Sequence, residues 1–192
     1  MKTLYYIFLS FRPKKLIKNL FVFLPLLFSG LIFDCQLFLK VGEAFLLFCL
    51  FTGVAYLFND ILDQEKDKQH PEKSKRPIAS GKLNPTAALF ISLVLIILGL
   101  WLSLEINLKF AVIAVAYLMI NMAYTLWLEH VRYLCSLFAG LNYILRMMAG
   151  GAAINLTLTI WHFAFAFVFG LLHSFYKNTF SDEGVKPRVS QE

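Results

Sequence analysis

The chain reads as long apolar runs separated by short polar stretches. Six runs suit a membrane-spanning helix: Leu16–Phe33, Val41–Phe58, Ala87–Leu104, Phe110–Leu128, Leu134–Ile154 and Thr157–Phe175. The third and fourth hold 18 and 19 residues without a charge, enough for a helix to cross a bilayer. The first is the weakest, because its uncharged core begins only after Lys18, whose long side chain can snorkel to the surface. Gly81 to Thr86 reads as a turn into the third run, with Asn84 as helix cap and Pro85 at the first helical position. The pattern therefore predicts an all-α integral membrane protein, a multi-span helical bundle of about six transmembrane helices. Residues 1–175 form the membrane domain and 176–192 a polar tail.

Composition strengthens this picture. Of 192 residues 59% are hydrophobic, 20 are phenylalanine, and mean hydropathy is +0.67. That apolar share exceeds a soluble domain's and leaves little room for a separate soluble unit. No small-residue cleavage site follows the first run cleanly and its basic segment lies far from the start, so it reads as a span rather than a secretory signal. Of 18 lysines and arginines, all but Lys40, Lys109 and Arg146 fall before the uncharged core of span one, between spans two and three, between four and five, or after span six. Basic residues favour the cytoplasmic side, so both termini and the Asp60 to Lys82 loop are expected in the cytoplasm, across a bacterial cytoplasmic membrane. The net charge of +6 belongs to that layer, which suits anionic lipid headgroups. Nucleic acid is a poor partner, because the basic residues flank apolar spans. Cys35, Cys49 and Cys135 form no CxxC pair and suggest packing rather than a zinc site.

Chemistry concentrates where the second span meets water, at Asn59-Asp60-Ile61-Leu62-Asp63-Gln64-Glu65-Lys66-Asp67. Aspartates at i, i+3 and i+7 share one face of a helix. Three carboxylates so placed repel one another unless a cation intervenes. Mg2+, a hard ion that takes carboxylates together with substrate phosphates, answers that need. Asp60, Asp63 and Asp67 are therefore the candidate catalytic metal ligands, and Asn59 adds a neutral oxygen or an orienting amide. Lys73, Lys75 and Arg76 follow, stiffened by Pro71 and Pro77, and suit phosphate oxygens. The alternative is a solvated polar loop. Lys14 and Lys18 belong to a second basic cluster with Arg12 and Lys15, either a clamp for a lipid phosphate or only an orientation signal. Arg146 lies inside an apolar run, where arginine is costly and faces a polar cavity or a partner such as Glu43 or Asn142. Tyr117, Asn121 and Tyr124 recur at i, i+4 and i+7 and give span four one polar, aromatic face. That face either lines the same cavity or bonds between helices. Gly150-Gly151-Ala152-Ala153 suits close helix packing.

The NDILDQEKD stretch followed by HPEKSKRPIASG resembles the first aspartate motif and adjoining loop of the UbiA superfamily of membrane transferases. Arg12 to Phe23, and Tyr143 to Gly151 with its LR-x-x-AGG pattern, are similar to the branch that transfers phosphoribosyl groups to decaprenyl phosphate. The resemblance covers Phe11 to Phe169 and implies the first six helices of a nine-helix fold. It implies Mg2+-dependent transfer of a 5-phosphoribosyl group from phosphoribosyl diphosphate to a polyprenyl phosphate. The partners implied are a polyprenyl lipid, a diphosphate substrate and the membrane. The alternatives are an aromatic polyprenyltransferase of the same superfamily, or a non-catalytic truncated or accessory membrane protein. The family's later helices and second polar motif have no counterpart here, so a separate chain supplying them is a further expectation. The family also commonly carries an aspartate near Cys135 and a basic residue near Glu129.

Overall fold

The structure, a computed structural model, describes residues 2–128 and 132–181. Among them it is helical throughout, without strands. Helix α1 (Lys2–Ser10) leads to Arg12, whose φ of 53° turns the chain before the short α2 (Pro13–Leu16). A 3-10 stretch (Ile17–Phe23) and α3 (Leu24–Phe28) follow. The long α4 (Cys35–Leu62) and short α5 (Gln64–Gln69) come next. The rest of the bundle is α6 (Pro85–Ile106), α7 (Leu108–Ala123) with a wide π turn at Tyr124–Leu128, α8 (Arg132–Ala153) and α9 (Ile160–Ser181).

Local chemistry sets these boundaries. The Asp34 carboxylate accepts from the Gln36 and Leu37 amides and starts α4. Asn84 accepts from Thr86 at 2.8 Å with Pro85 in the first turn, as the sequence suggested for α6. Asn107 separates α6 from α7. It caps α7 through the Phe110 amide and donates to the Ala152 carbonyl at 2.8 Å, which ties the start of α7 to the end of α8.

Three helical segments, among the described residues, are long and apolar enough to cross a membrane: Cys35–Leu62, Pro85–Ile106 and Leu108–Leu126. The other three expected spans look different. Leu16–Phe33 is not one helix. Pro25 lacks the N–H that would continue an α ladder, and polar Lys18 and Asn19 lie upstream, so the segment winds as a 3-10 stretch and a short α turn. In α9 the apolar part is the shorter Ile160–Tyr176, although the helix itself runs to Ser181, past the expected domain boundary at residue 175. Helix α8 carries Arg146, Asn142 and four small residues at its end, which fits it to the bundle interior.

The core lies where the 3-10 stretch, α4, α7 and α8 meet. Val22, Leu26, Val41, Phe48, Phe51, Phe110, Tyr117, Leu145 and Ala149 pack there. The Phe48 ring meets those of Phe51, Phe110 and Tyr117. Two close approaches need glycine. A Cβ on Gly150 would fall 1.9 Å from the Val22 carbonyl oxygen, and one on Gly170 would fall 2.6 Å from Gly140 Cα where α8 and α9 cross. Helix α6 leaves Phe90, Leu93, Val94, Ile97 and Trp101 exposed. In a chain with membrane-spanning helices that apolar face suits lipid tails rather than water.

Candidate active site

The aspartate stretch straddles a helix break. Helix α4 ends at Leu62, Asp63 is the junction with φ −88° and ψ 7°, and α5 begins at Gln64. The three carboxylates consequently part company. Asp60 and Asp67 are buried, at 2% and 1% exposure. Arg76 Nη1 donates to both of them, to Asp60 Oδ1 at 3.1 Å and to Asp67 Oδ2. Arg12 donates to the same Asp60 oxygen from the opposite side. Asp63 turns elsewhere: it accepts from the Asn59 amide at 2.9 Å and stands 3.6 Å from Lys66 Nζ. Arg12, in turn, lies 4.9 Å over the Tyr56 ring, which Lys15 also approaches at 5.5 Å. The result is an alternating chain of charges, Arg12, Asp60, Arg76, Asp67, that ties α2, α4, α5 and the 70–80 loop together.

Asp60, Asp63, Asp67 and the Asn59 amide oxygen are the hard donors that a divalent ion of the Mg2+ kind takes, so the donor set fits in kind. In arrangement, guanidinium groups already neutralise Asp60 and Asp67. Among the described residues, no three His, Cys, Asp or Glu side chains are gathered closely enough to hold a metal. Asp63 is the least committed of the three.

Beside this charge cluster, and meeting it at Asn59, lies a cavity of about 320 Å³. Helix α4 contributes Thr52, Tyr56 and Asn59 to it; α7 and the π turn contribute Tyr117, Asn121, Tyr124 and Thr125. Helix α8 contributes Ala139, Asn142, Tyr143 and Arg146, and Lys18 and His173 also border it. At its inner end Arg146, 5% exposed, is fixed by neutral groups: Nε to Asn19 Oδ1 at 2.7 Å, Nη1 to the Asn142 carbonyl at 2.8 Å, Nη2 to the Tyr117 hydroxyl at 3.1 Å. Thr52 donates to Asn19 at 3.2 Å and shares a 2.8 Å hydrogen bond with Tyr117. Asn121 bridges the Tyr117 carbonyl and the Asn142 side chain.

The sequence-based candidates divide into those that meet and those that do not. Asn59, Lys18, Tyr124 and Arg146 border one cavity, and Tyr117 and Asn121 join them on the expected polar face of span four. Asp60, Asp67 and Arg76 meet in the charge chain, with Asp63 beside it. Lys14, Lys73 and Lys75 are exposed and outside the cavity lining, and Lys75 pairs with Glu72 at 3.3 Å. The suggested Glu43 partner for Arg146 is not one; Asn142, through its carbonyl, is. Glu129 and the Cys135 side chain lie outside the described residues. The sequence reading missed Arg12 as a partner of Asp60, and Asn19, Thr52 and Tyr56 altogether. Their signal was present. Thr52, Tyr56 and Asn59 recur at i, i+4 and i+7, so the face of Asn59 continues down α4 into the membrane.

Comparison with known proteins gives a family match, sequence relatives and a similar solved structure. The profile described as UbiA prenyltransferase family matches residues 20–183. The decaprenyl-phosphate phosphoribosyltransferase of Mycolicibacterium smegmatis is 33% identical over 165 residues, 84% of this chain and 52% of that protein. Its namesake from Mycobacterium tuberculosis (strain H37Rv) is 32% identical over 167 residues, 85% of this chain and 55% of that protein. The chain thus spans about half the length of these curated relatives. A solved structure titled for the biosynthesis of digeranylgeranylglyceryl phosphate synthase in membranes aligns with a TM-score of 0.73 at 25% identity, covering 95% of this chain and 63% of that one.

Proposed function

The chain belongs to the UbiA prenyltransferase family, and from that premise we propose that it serves as a membrane transferase moving a 5-phosphoribosyl group from phosphoribosyl diphosphate to the phosphate of a polyprenyl lipid. One observation carries the reading. A single cavity reaches from Asn59, beside the aspartate cluster, to a buried arginine within the bundle. Such a cavity suits a substrate with anionic groups at separate points. The names of the relatives supply the choice of phosphoribosyl over prenyl donor.

In this reading the diphosphate of the donor lies at the mouth. Asp60, Asp63 and Asp67, with Asn59, are the residues that would hold Mg2+ once Arg76 lets go of Asp60 and Asp67, and the ion would neutralise charge on the leaving diphosphate. Arg76 exchanges its aspartates for phosphate oxygens, which its planar fork matches. The tyrosines Tyr56, Tyr124 and Tyr143 wall the cavity and keep water from the sugar. The acceptor phosphate is already ionised at neutral pH, so it attacks the anomeric carbon without a strong general base while the diphosphate departs. The exposed apolar helix faces leave the polyprenyl tail in lipid. The mouth faces the cytoplasm, where water-soluble phosphoribosyl diphosphate is found.

Membranes containing the protein, given labelled phosphoribosyl diphosphate and a polyprenyl phosphate, are expected to yield lipid-extractable phosphoribose. Asp63→Asn is expected to lower the rate on the order of 100-fold, the usual effect of removing one transition-state contact. Transfer from a prenyl diphosphate to an aromatic acceptor, with none from phosphoribosyl diphosphate, would assign the chain to a different branch.

A further inference from the structure

An arginine is charged at any physiological pH and carries five N–H donors. Arg146 spends three of them on Asn19, Asn142 and Tyr117, all neutral, which among the described residues leaves one N–H on each terminal nitrogen. Among the described residues no carboxylate forms an ion pair with it. Among the described residues its charge lies over the Tyr117 and Tyr143 rings, at 5.3 and 5.7 Å. A bare cation buried in a membrane bundle is expensive, and burial of this kind is retained where a partner or substrate completes it. The three bonds come from the 3-10 stretch, α7 and α8 itself, so the guanidinium plane is fixed before any ligand arrives. The side chain borders the cavity, so the two remaining donors have a place to meet a ligand.

We propose that Arg146 is the inner anion receptor of this cavity and binds a phosphate monoester bidentately through the free N–H of Nη1 and of Nη2, independently of any metal. The inference deepens the transferase reading and rests on it only for the choice of ligands. Phosphate monoesters occur at two places in that chemistry, the 5-phosphate of the sugar and the phosphate of the polyprenyl acceptor. Both have the charge and the paired oxygens that an arginine fork matches.

The test uses the purified protein in EDTA, so that metal-dependent binding at the aspartates cannot contribute. Ribose 5-phosphate and farnesyl phosphate are titrated separately by calorimetry. At least one is expected to bind, and the arm that binds names the source. Arg146→Gln is expected to weaken that binding about 10- to 100-fold, the range for one charge-assisted bidentate contact. Arg146→Lys, which keeps the charge but loses the fork, is expected to restore only part. Because Arg146→Gln also removes bonds that hold three segments together, Ala139→Leu provides an independent arm. Ala139 borders the cavity two turns before Arg146 on the same face of α8 and makes none of those hydrogen bonds. Filling that wall is expected to abolish binding in a protein that still folds. Absence of binding by either ligand to the wild type overturns the proposal, as does undiminished binding in Arg146→Gln or Ala139→Leu. Loss of metal-dependent diphosphate binding alone would count against the aspartate site and leave this one standing.

Discussion

Arg76 touches two aspartates at once, and for Asp67 it is the one ion-pair partner among the described residues. A metal ion approaching these carboxylates must compete with a guanidinium already in place. A diphosphate changes the balance, because it offers Arg76 a replacement for the carboxylates it gives up. Mn2+ alone is therefore expected to bind weakly, and Mn2+ with a diphosphate compound far more tightly. Arg76→Gln separates the two roles. It is expected to tighten Mn2+ binding without diphosphate about 10-fold, since Asp67 loses its counterion, and to weaken the diphosphate-dependent binding. Electron paramagnetic resonance of free Mn2+ reads both. Equal Mn2+ affinity in wild type and variant would show that the arginine does not guard the site. At this scale the sequence was partly legible. Charged residues in a motif advertise themselves, so the aspartates and Arg76 stood out. Their pairing did not, because Arg12 comes from 48 positions away and only the fold brings it to Asp60. Asn19 and Thr52 are single polar residues in apolar runs, and only the fold ties them to Arg146, Asn19 directly and Thr52 through Asn19 and Tyr117.

Element boundaries were most legible where a side chain both signals and makes the structure, as Asn84 and Pro85 do at the start of α6. They were least legible in Leu16–Phe33, where hydropathy promised a span and the chain wound as a 3-10 stretch and a short α turn. Hydropathy counts apolar side chains. It does not register that Pro25 breaks the ladder, or that this segment's task is to carry Asn19 inward to Arg146 and Val22 against α8. That second contact is testable. A methyl group on Gly150 meets a backbone carbonyl, which cannot swing aside as a side-chain tip can. Gly150→Ala is therefore expected to cost about 1–3 kcal/mol, as overpacked cores do, and to lower the thermal unfolding midpoint in detergent by several degrees. Gly42→Ala is the control. It lies within α4 with nothing within 4 Å of the added methyl, so no loss of stability is expected. Equal midpoints for the two variants would mean that the 3-10 stretch does not press on α8 as described.

For the whole molecule the class was legible, and three of the six expected spans are long, apolar helices among the described residues. Apolar content and run length give an all-helical membrane protein directly. Composition alone does not reveal which helices face lipid and which, like α8 with its buried Arg146, line the interior. Orientation is the remaining global property, and α4 supplies its own test. The helix has 28 residues, which at 1.5 Å each amounts to about 42 Å, more than the hydrocarbon thickness. Cys35, at its first position, is exposed, and the 70–80 loop lies past its other end. If this helix spans the bilayer, its two ends face opposite sides of the membrane. The abundance of lysine and arginine around the aspartate loop is the ground on which that end is proposed to face the cytoplasm. With Cys49 and Cys135 replaced by serine, native Cys35 is expected to react with a membrane-impermeant maleimide added to intact cells. Lys73→Cys, on an exposed loop position, is expected to react only after the membrane is opened, in a background where Cys35 is also serine. The reverse pattern would place the aspartate mouth outside, away from a soluble cytoplasmic donor, and the proposed transfer would lose its substrate. Reaction of both cysteines from outside would mean that α4 does not cross at all.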